Sequence, residues 1–381
     1  MRVSNTEHGD VVLDDGTDDE LDAQGGCVVA GLHDHHLHLC ALAAARSSVE
    51  VGPGVDLAAA LHEAPGEAWV RAVGYASDGL DRWQLDAVLA DRPVRVQHRS
   101  GALWILNSAA AHAVGLPDDH DGRLFRLDDW LRERLPPGEH DLAAVGRDLL
   151  ALGVTELTDT TPDRTPEEAD ALRAALPQRL HLLMPLGAES DEPVKLLLDD
   201  DTLPPVGELA ATVEAVHAAG RTVAVHCVTR VQLVAALAAG LAAGDRIEHG
   251  AIIPTELDAE LVDRQLTVVT QPNFLHERGE QYRRDVDPDD LPLLYRCGSL
   301  LRAGVRVLGG TDAPFGRPDP WAAMRAAVHR DLSPEERITP DEALGLFAGT
   351  RGWCVLGVPR AVALRELDAR NVLRGVVSEF G

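Results

Sequence analysis

The run His33-Asp34-His35-His36-Leu37-His38 puts four imidazoles and a carboxylate within six positions. On a strand, alternate residues share a face, so His36 and His38 point one way together with Asp34, while His33 and His35 point the other. Two imidazoles side by side at a strand's end form a chelate for a divalent metal. A histidine run in a polar loop would read the same way in isolation, so the rest of the chain has to decide. His226 ends the apolar run Val223-Ala224-Val225, and His249 ends Arg246-Ile247-Glu248 one βα interval later. Asp312 follows Val307-Leu308-Gly309-Gly310-Thr311 in the same manner. A lone histidine at the end of an apolar strand is more often a hydrogen-bonded core residue than a ligand, but two in successive units, after His-x-His, depart from that pattern. Lys195 adds a different group. It is the one lysine among 35 basic residues, the other 34 being arginine. An amine can lose its proton and act as a nucleophile where a guanidinium cannot; the plain alternative is a solvated surface charge.

These groups need elements that bring them to one rim. From about residue 150 onward, short β-branched or apolar runs alternate with Ala/Leu-rich amphipathic segments. The strand candidates are 27–33, 154–159, 180–186, 193–198, 222–228, 246–253, 266–271 and 305–312, with helices such as 206–219 and 255–264 between them. Gly220 and Gly304 are placed to cap helices. Eight such units predict an α/β fold, the (β/α)8 TIM barrel, whose functional groups gather at the C-terminal ends of the strands. An open doubly wound sheet usually carries a glycine-rich phosphate loop, and no GxGxxG or GxxxxGK[ST] is present. The barrel is expected over 27–351. Residues 45–150 are too long for one connection and predict a long insertion after strand 1 with structure of its own. Residues 1–26 and 352–381 predict a reduced accessory β layer from the termini.

At 381 residues and 45% apolar, the chain can bury a large core. Its 62 acidic against 35 basic residues, a formal charge of −27, disfavour nucleic acid and anionic membrane surfaces as partners. No run is long enough to span a membrane, and the acidic N-terminal stretch does not read as a signal peptide, so a cytoplasmic location is expected. Five dispersed cysteines without a CxxC pair read as reduced thiols. The partner this composition leaves is a small-molecule substrate, with a homo-oligomer left open.

Residues 21–38, from Leu21-Asp22-Ala23-Gln24-Gly25-Gly26 through to His36-Leu37-His38, resemble the strand-one signature of the amidohydrolase superfamily, with Ala30 where that family usually has Pro. His226 and His249 are similar to its strand-five and strand-six histidines, Asp312 to its strand-eight aspartate, and Lys195 falls where many members carry a lysine carboxylated by CO2. The segment from Gln97 to Ser108 also looks like the branch of N-acyl and formamide hydrolases. The resemblance covers residues 21 to about 350. Two departures stand out: the C-terminus lacks the Gly-rich segment that completes a β-sandwich in many relatives, and Ala102 stands near a position where relatives often have His.

The resemblance implies that His36, His38 and Asp312 hold one divalent metal, that His226 and His249 hold a second, and that an N6-carboxylated Lys195 bridges them. A one-metal site with Lys195 unmodified is the competing arrangement. Zinc is the default for a histidine-rich set with one carboxylate, although iron, manganese, nickel or cobalt would fit. The implied activity is metal-assisted hydrolysis of a non-peptide C–N bond in a small amide, formamide, cyclic amide or amidine, with Asp312 as the catalytic proton carrier. A lyase, decarboxylase or isomerase on the same scaffold is the alternative, and a non-catalytic binder is a third. Candidate substrate-binding residues are His98, Arg99, Gln271, Asn273 and His276, with Tyr282 near them; Arg99 would hold a carboxylate and His276 an oxyanion. Strict alternation points Glu248 outward from His249 and Cys227 away from His226.

Overall fold

A computed structural model describes residues 1–66, 68–77, 79–136 and 141–378. The chain forms two compact units, one of residues 1–39 with 142–381 and the other of residues 40–141. The first unit contains the eight expected strands, β1 (Cys27–Leu37), β2 (Val154–Asp159), β3 (Arg179–Leu182), β4 (Val194–Leu197), β5 (Val223–Cys227), β6 (Arg246–His249), β7 (Thr267–Thr270) and β8 (Arg306–Gly309), and β3 runs on to β4 without an intervening helix. β7 is buried along its whole length, as parallel strands covered on both faces must be. The helix expected at 206–219 runs over Val206–Ala218 and stops at Gly220, whose φ of 73° is the left-handed conformation that ends a helix without a Cβ clash.

The ladder is divided where a closed barrel was expected. β4 to β8 form one five-stranded parallel sheet in sequence order. The other five-stranded sheet is ordered β3, β2, β1, then Ala348–Leu356 and Val372–Val376, the last two running antiparallel. Between β3 and β4 a single bridge, Met184–Val194, stands in for a ladder. Pro193, immediately before β4, has no N–H to extend it. Between β8 and β1 the bonds belong to the loop after β8: Asp312 N donates to His36 O at 2.7 Å, and His38 N donates to Ala313 O at 2.8 Å. There the Asp34 carboxylate takes the N–H of Thr311 at 3.0 Å, a donor that a regular ladder would spend on a backbone carbonyl.

The termini also differ from a shared β layer. Arg2–Thr6, Gly9–Val12 and Glu20–Asp22 form a separate three-stranded sheet, whereas the C-terminal strands continue the sheet of β1. What the two share is an apolar cluster: Met1, Val3, Leu13 and Ala23 pack with Val355 and Val376.

The second unit is built on a five-stranded sheet of Val49–Glu50, Val70–Tyr75, Val94–His98, Leu103–Leu106 and Arg123–Phe125, with Leu61, Leu85, Val96 and Ile105 in its core. Buried Asn107 organises one corner, accepting from Val94 N and Ala110 N while donating to Leu89 O and Arg92 O. The helix Leu142–Ala151, inside the expected insertion of 45–150, belongs to the first unit instead.

Candidate metal centre

Strand register decides which side chains share a face. Leu197 pairs with His226 and His226 with Glu248, while Lys195 pairs with Ala224 and Ala224 with Arg246. Paired residues project to the same side, so Lys195, His226, Arg246 and Glu248 all lie on one face. By alternation His249 belongs on the other. It returns to the same side because its backbone is left-handed, with φ of 68°, and Gly250 N then folds back onto Glu248 O at 2.9 Å. Asp312 adopts a similar conformation, φ of 55°. Non-glycine residues held in this region cost of order 1–3 kcal/mol each, and such positions concentrate where geometry serves chemistry.

β1 deviates as well. Leu157 and Asp159 of β2 pair with Asp34 and Leu37, two residues against three, so β1 bulges there. The bulge lets the consecutive His35 and His36 project to one side, and it moves Asp34 off the face of His36 and His38. Asp34 instead accepts from Thr311 N, Thr311 Oγ1 and His36 N, tying β1 to the loop that carries Asp312. Burial lifts its carboxyl to about 7 against the pull of these donors.

The result is a tight cluster. Asp312 Oδ1 lies 3.2 Å from His38 Nε2 and 3.6 Å from His36 Nε2. The His36 and His249 rings are 4.6 Å apart, as are those of His226 and His249. His36, His249 and Asp312 each present a ligand atom within 4.8 Å of the others. Among the described residues His36 Nε2 and Asp312 Oδ1 are buried without a hydrogen-bond partner. Unpaired polar atoms of this kind are costly unless something else occupies them. Ligands about 2.1 Å from a tetrahedral zinc stand roughly 3.4 Å from each other, which the carboxylate–imidazole separations match. The donor set therefore fits a divalent metal on geometry and chemistry alike.

The Nδ1 nitrogens of His36 and His249 are held. His36 Nδ1–H donates to Glu248 Oε2 at 2.5 Å, and Glu248 Oε1 accepts from Arg246 Nε at 2.8 Å. His249 Nδ1–H donates to Gln271 Oε1 at 2.9 Å, leaving its Nε2 free. These bonds fix the tautomers that point Nε2 at a metal. Burial lowers His36 to about 4, His249 to about 3 and His226 to about 2, so all three are neutral imidazoles near pH 7. Burial works to raise Asp312, but the His38 imidazole close beside it and the neighbouring His36 and His249 outweigh it and hold the carboxyl below its ordinary range. Lys195 is lowered first by burial, with Glu248 and Asp312 pulling it back.

One expectation is corrected here, and the other candidates are placed as follows. Glu248 does not pack outward; it is fully buried against His36, because the turn at His249 breaks the alternation. Gln271 spends its carbonyl on His249, and Asn273 donates to Thr311 O at 3.1 Å, so both brace the site. His276 is exposed on the helix Asn273–Asp285, which begins right after Pro272. Tyr282, on the same helix, meets Tyr295 hydroxyl to hydroxyl at 3.3 Å. His98 and Arg99 belong to the second unit, where a His98 ring nitrogen meets Ser100 Oγ at 2.8 Å and Arg99 N donates to Tyr75 O. The sequence signal that marks Glu248 is Arg246-Ile-Glu248, two opposite charges two apart on a strand otherwise buried.

Replacing Glu248 with Gln is expected to weaken metal affinity about 10–100-fold, because the amide no longer favours a donating His36 Nδ1 and leaves Arg246 without a counter-charge. Competition against a chromophoric chelator measures this, and unchanged affinity would show that Glu248 does not orient His36.

The chain is similar to several known proteins. An N-substituted formamide deformylase from Arthrobacter pascens is 33% identical over 110 residues, 27% of this chain and 20% of that protein, so the chain matches only about a fifth of that relative's length. A solved metal-dependent hydrolase from Pyrococcus horikoshii superposes with a TM-score of 0.73 at 18% identity, covering 99% of this chain and 94% of the other. An N-isopropylammelide isopropylaminohydrolase from Burkholderia multivorans gives 0.51 at 16% identity, covering 98% and 96%. Zinc-complexed atrazine chlorohydrolase from Arthrobacter aurescens gives 0.53 at 14% identity, covering 98% and 89%. Among the described residues no helix is long and apolar enough to cross a membrane. The model of the amidohydrolase family matches residues 19–353, and the chain belongs to that family.

Proposed function

We propose that this protein is a metal-dependent hydrolase that cleaves a non-peptide C–N bond of a small molecule, an amide or N-substituted formamide being the favoured class. The observation that carries the reading is the convergence of His36 Nε2, His38 Nε2, His249 and Asp312 Oδ1, two of these atoms buried and unpaired, in a member of the amidohydrolase family. The favoured substrate class rests on the local similarity to the formamide deformylase. In this reading β1 to β8 work as a (β/α)8 barrel with residues 40–141 as its insertion, and the site sits at the C-terminal ends of the strands.

His36, His38 and Asp312 would hold one zinc ion and His226 and His249 a second, with Lys195 between them as an N6-carboxylated bridge. The metal supplies electrophilic polarisation of the carbonyl and acidifies water. The chain's own residues do the rest. Glu248 and Gln271 keep the His36 and His249 nitrogens aimed. The ionised Asp312 carboxylate takes the proton of the attacking water as its oxygen bonds to the carbonyl carbon. It then returns that proton to the nitrogen as the C–N bond breaks, so that a neutral amine leaves.

The test is a panel of N-substituted formamides, simple amides, cyclic amides and amidines offered to the zinc-loaded full chain. Amine, ammonia or formate should be released, and chelation should abolish the release. Evolution of CO2 without hydrolysis, or isomerisation of substrate, would assign the site to a lyase or an isomerase instead.

A further inference from the structure

The histidine run contains two imidazoles that the site above does not use. His33 and His35 project from β1 into a cavity of about 820 Å³. Its walls include residues just ahead of β4, β6, β7 and β8, namely Pro193, Gly244, Leu266 and Val305, so it opens at the strands' N-terminal ends. That end of a parallel barrel normally serves stability alone and is filled with packed side chains. Here register instead gathers ligand types. Glu156 of β2 pairs with His33 of β1, and Thr158 pairs with His181 of β3, so one face carries His33, Glu156, Thr158 and His181 together.

We propose that His33, Glu156 and His181 form a second, independent zinc site at the N-terminal mouth of these strands. His33 Nδ1 and His181 Nε2 lie 3.8 and 3.4 Å from the same oxygen, Glu156 Oε2, close to the roughly 3.4 Å between ligands of a tetrahedral zinc. The other carboxylate oxygen is already committed, accepting the N–H groups of Thr350 and Arg351, which anchors Glu156 so that Oε2 faces the imidazoles. The far side of the His33 ring is likewise fixed, Nε2 meeting Thr158 Oγ1 at 2.8 Å. Thr158 Oγ1 can donate to or accept from that nitrogen, so Nδ1 is able to present its lone pair toward Glu156 Oε2 when a cation is bound between them. A further nitrogen stands ready: the His35 ring centroid is 3.7 Å from that of His33, and His35 Nε2 is buried with no hydrogen-bond partner. Arg246, which also lines the cavity, donates from Nε to Glu248 Oε1 and from Nη2 to His35 O.

The site differs from the rim centre in every ligand, which makes the two separable. Full-length protein is stripped with a chelator, dialysed against zinc and assayed for zinc per chain, alone and in a His38→Ala/Asp312→Asn background that removes two of the rim ligands. In both, His181→Ala should lose one zinc equivalent, and in the rim-deficient protein the zinc-induced rise in thermal midpoint should disappear with it. The His181 side chain is one-third exposed, so metal-free His181→Ala should melt with metal-free wild type. His181→Cys, which restores a zinc ligand, should recover the equivalent. Equal zinc content with and without His181 would overturn the proposal. So would a His181-dependent rise in thermal midpoint produced by inorganic phosphate and not by zinc, which would make the cavity an anion site.

Discussion

Asp312→Asn is expected to lower kcat by about 10²–10⁴-fold, the range supplied by a positioned proton carrier, while the thermal midpoint stays near that of the wild type. The backbone makes this substitution informative. Asp312 sits at φ of 55°, and Asn tolerates that region as readily as Asp, so the turn that presents the side chain survives. Its N–H still donates to His36 O, keeping the loop against β1. What changes is the side chain, whose Oδ1 lies 3.2 and 3.6 Å from two imidazole nitrogens. An amide oxygen can still face a metal, but the amide neither takes up a proton nor carries the charge that the metal and imidazoles balance. Steady-state kinetics on the zinc-loaded variant, with zinc content measured alongside, separates lost proton transfer from lost metal. Turnover within a few-fold of wild type would remove Asp312 from the role of proton carrier.

The elements that place these groups were legible because parallel strands buried on both faces read as short apolar runs. His226, His249 and Asp312 stand out as polar residues at the ends of such runs. What the pattern hides are departures from regular strand geometry. Alternation misplaces Glu248 because His249 is left-handed, and it misplaces Asp34 because β1 bulges between Asp34 and Leu37. Both departures work toward the same end, since without them His36 and His249 would not share a face with Glu248. Strand periodicity says nothing about His276, which lies on the helix that follows Pro272 and turns to solvent. Closure of the ladder was beyond periodicity altogether, because it depends on Pro193 lacking a donor and on Asp34 capturing Thr311 N. The unused half of the histidine run carries the same lesson. His33 looks like a neighbour of the rim chelate in sequence, but its partners, Glu156 and His181, come from two other strands.

Lys195→Arg is expected to be as damaging as Lys195→Met, each lowering kcat by about 10²–10³-fold and cutting the rim centre from two metal ions to one. Charge conservation normally makes Lys→Arg mild on a surface, so equality of the two variants is the diagnostic result. Register puts Lys195 on the face of His226 and Glu248, and among the described residues it forms no ion pair. Burial lowers its pKa, which favours the neutral amine that can attack CO2. Glu248 and Asp312 attract the ammonium form, but each is engaged elsewhere, Glu248 by Arg246 and His36 and Asp312 by the imidazoles. In a chain with 34 arginines, a position that merely needed positive charge would be open to guanidinium, whereas one that must become a carbamate excludes it. Intact mass under bicarbonate should show one CO2 adduct in the wild type and none in either variant. An active two-metal protein with an unmodified amine, or an Arg variant that keeps both ions, would leave Lys195 as a half-buried charge and restrict the hydrolytic centre to its histidines and Asp312.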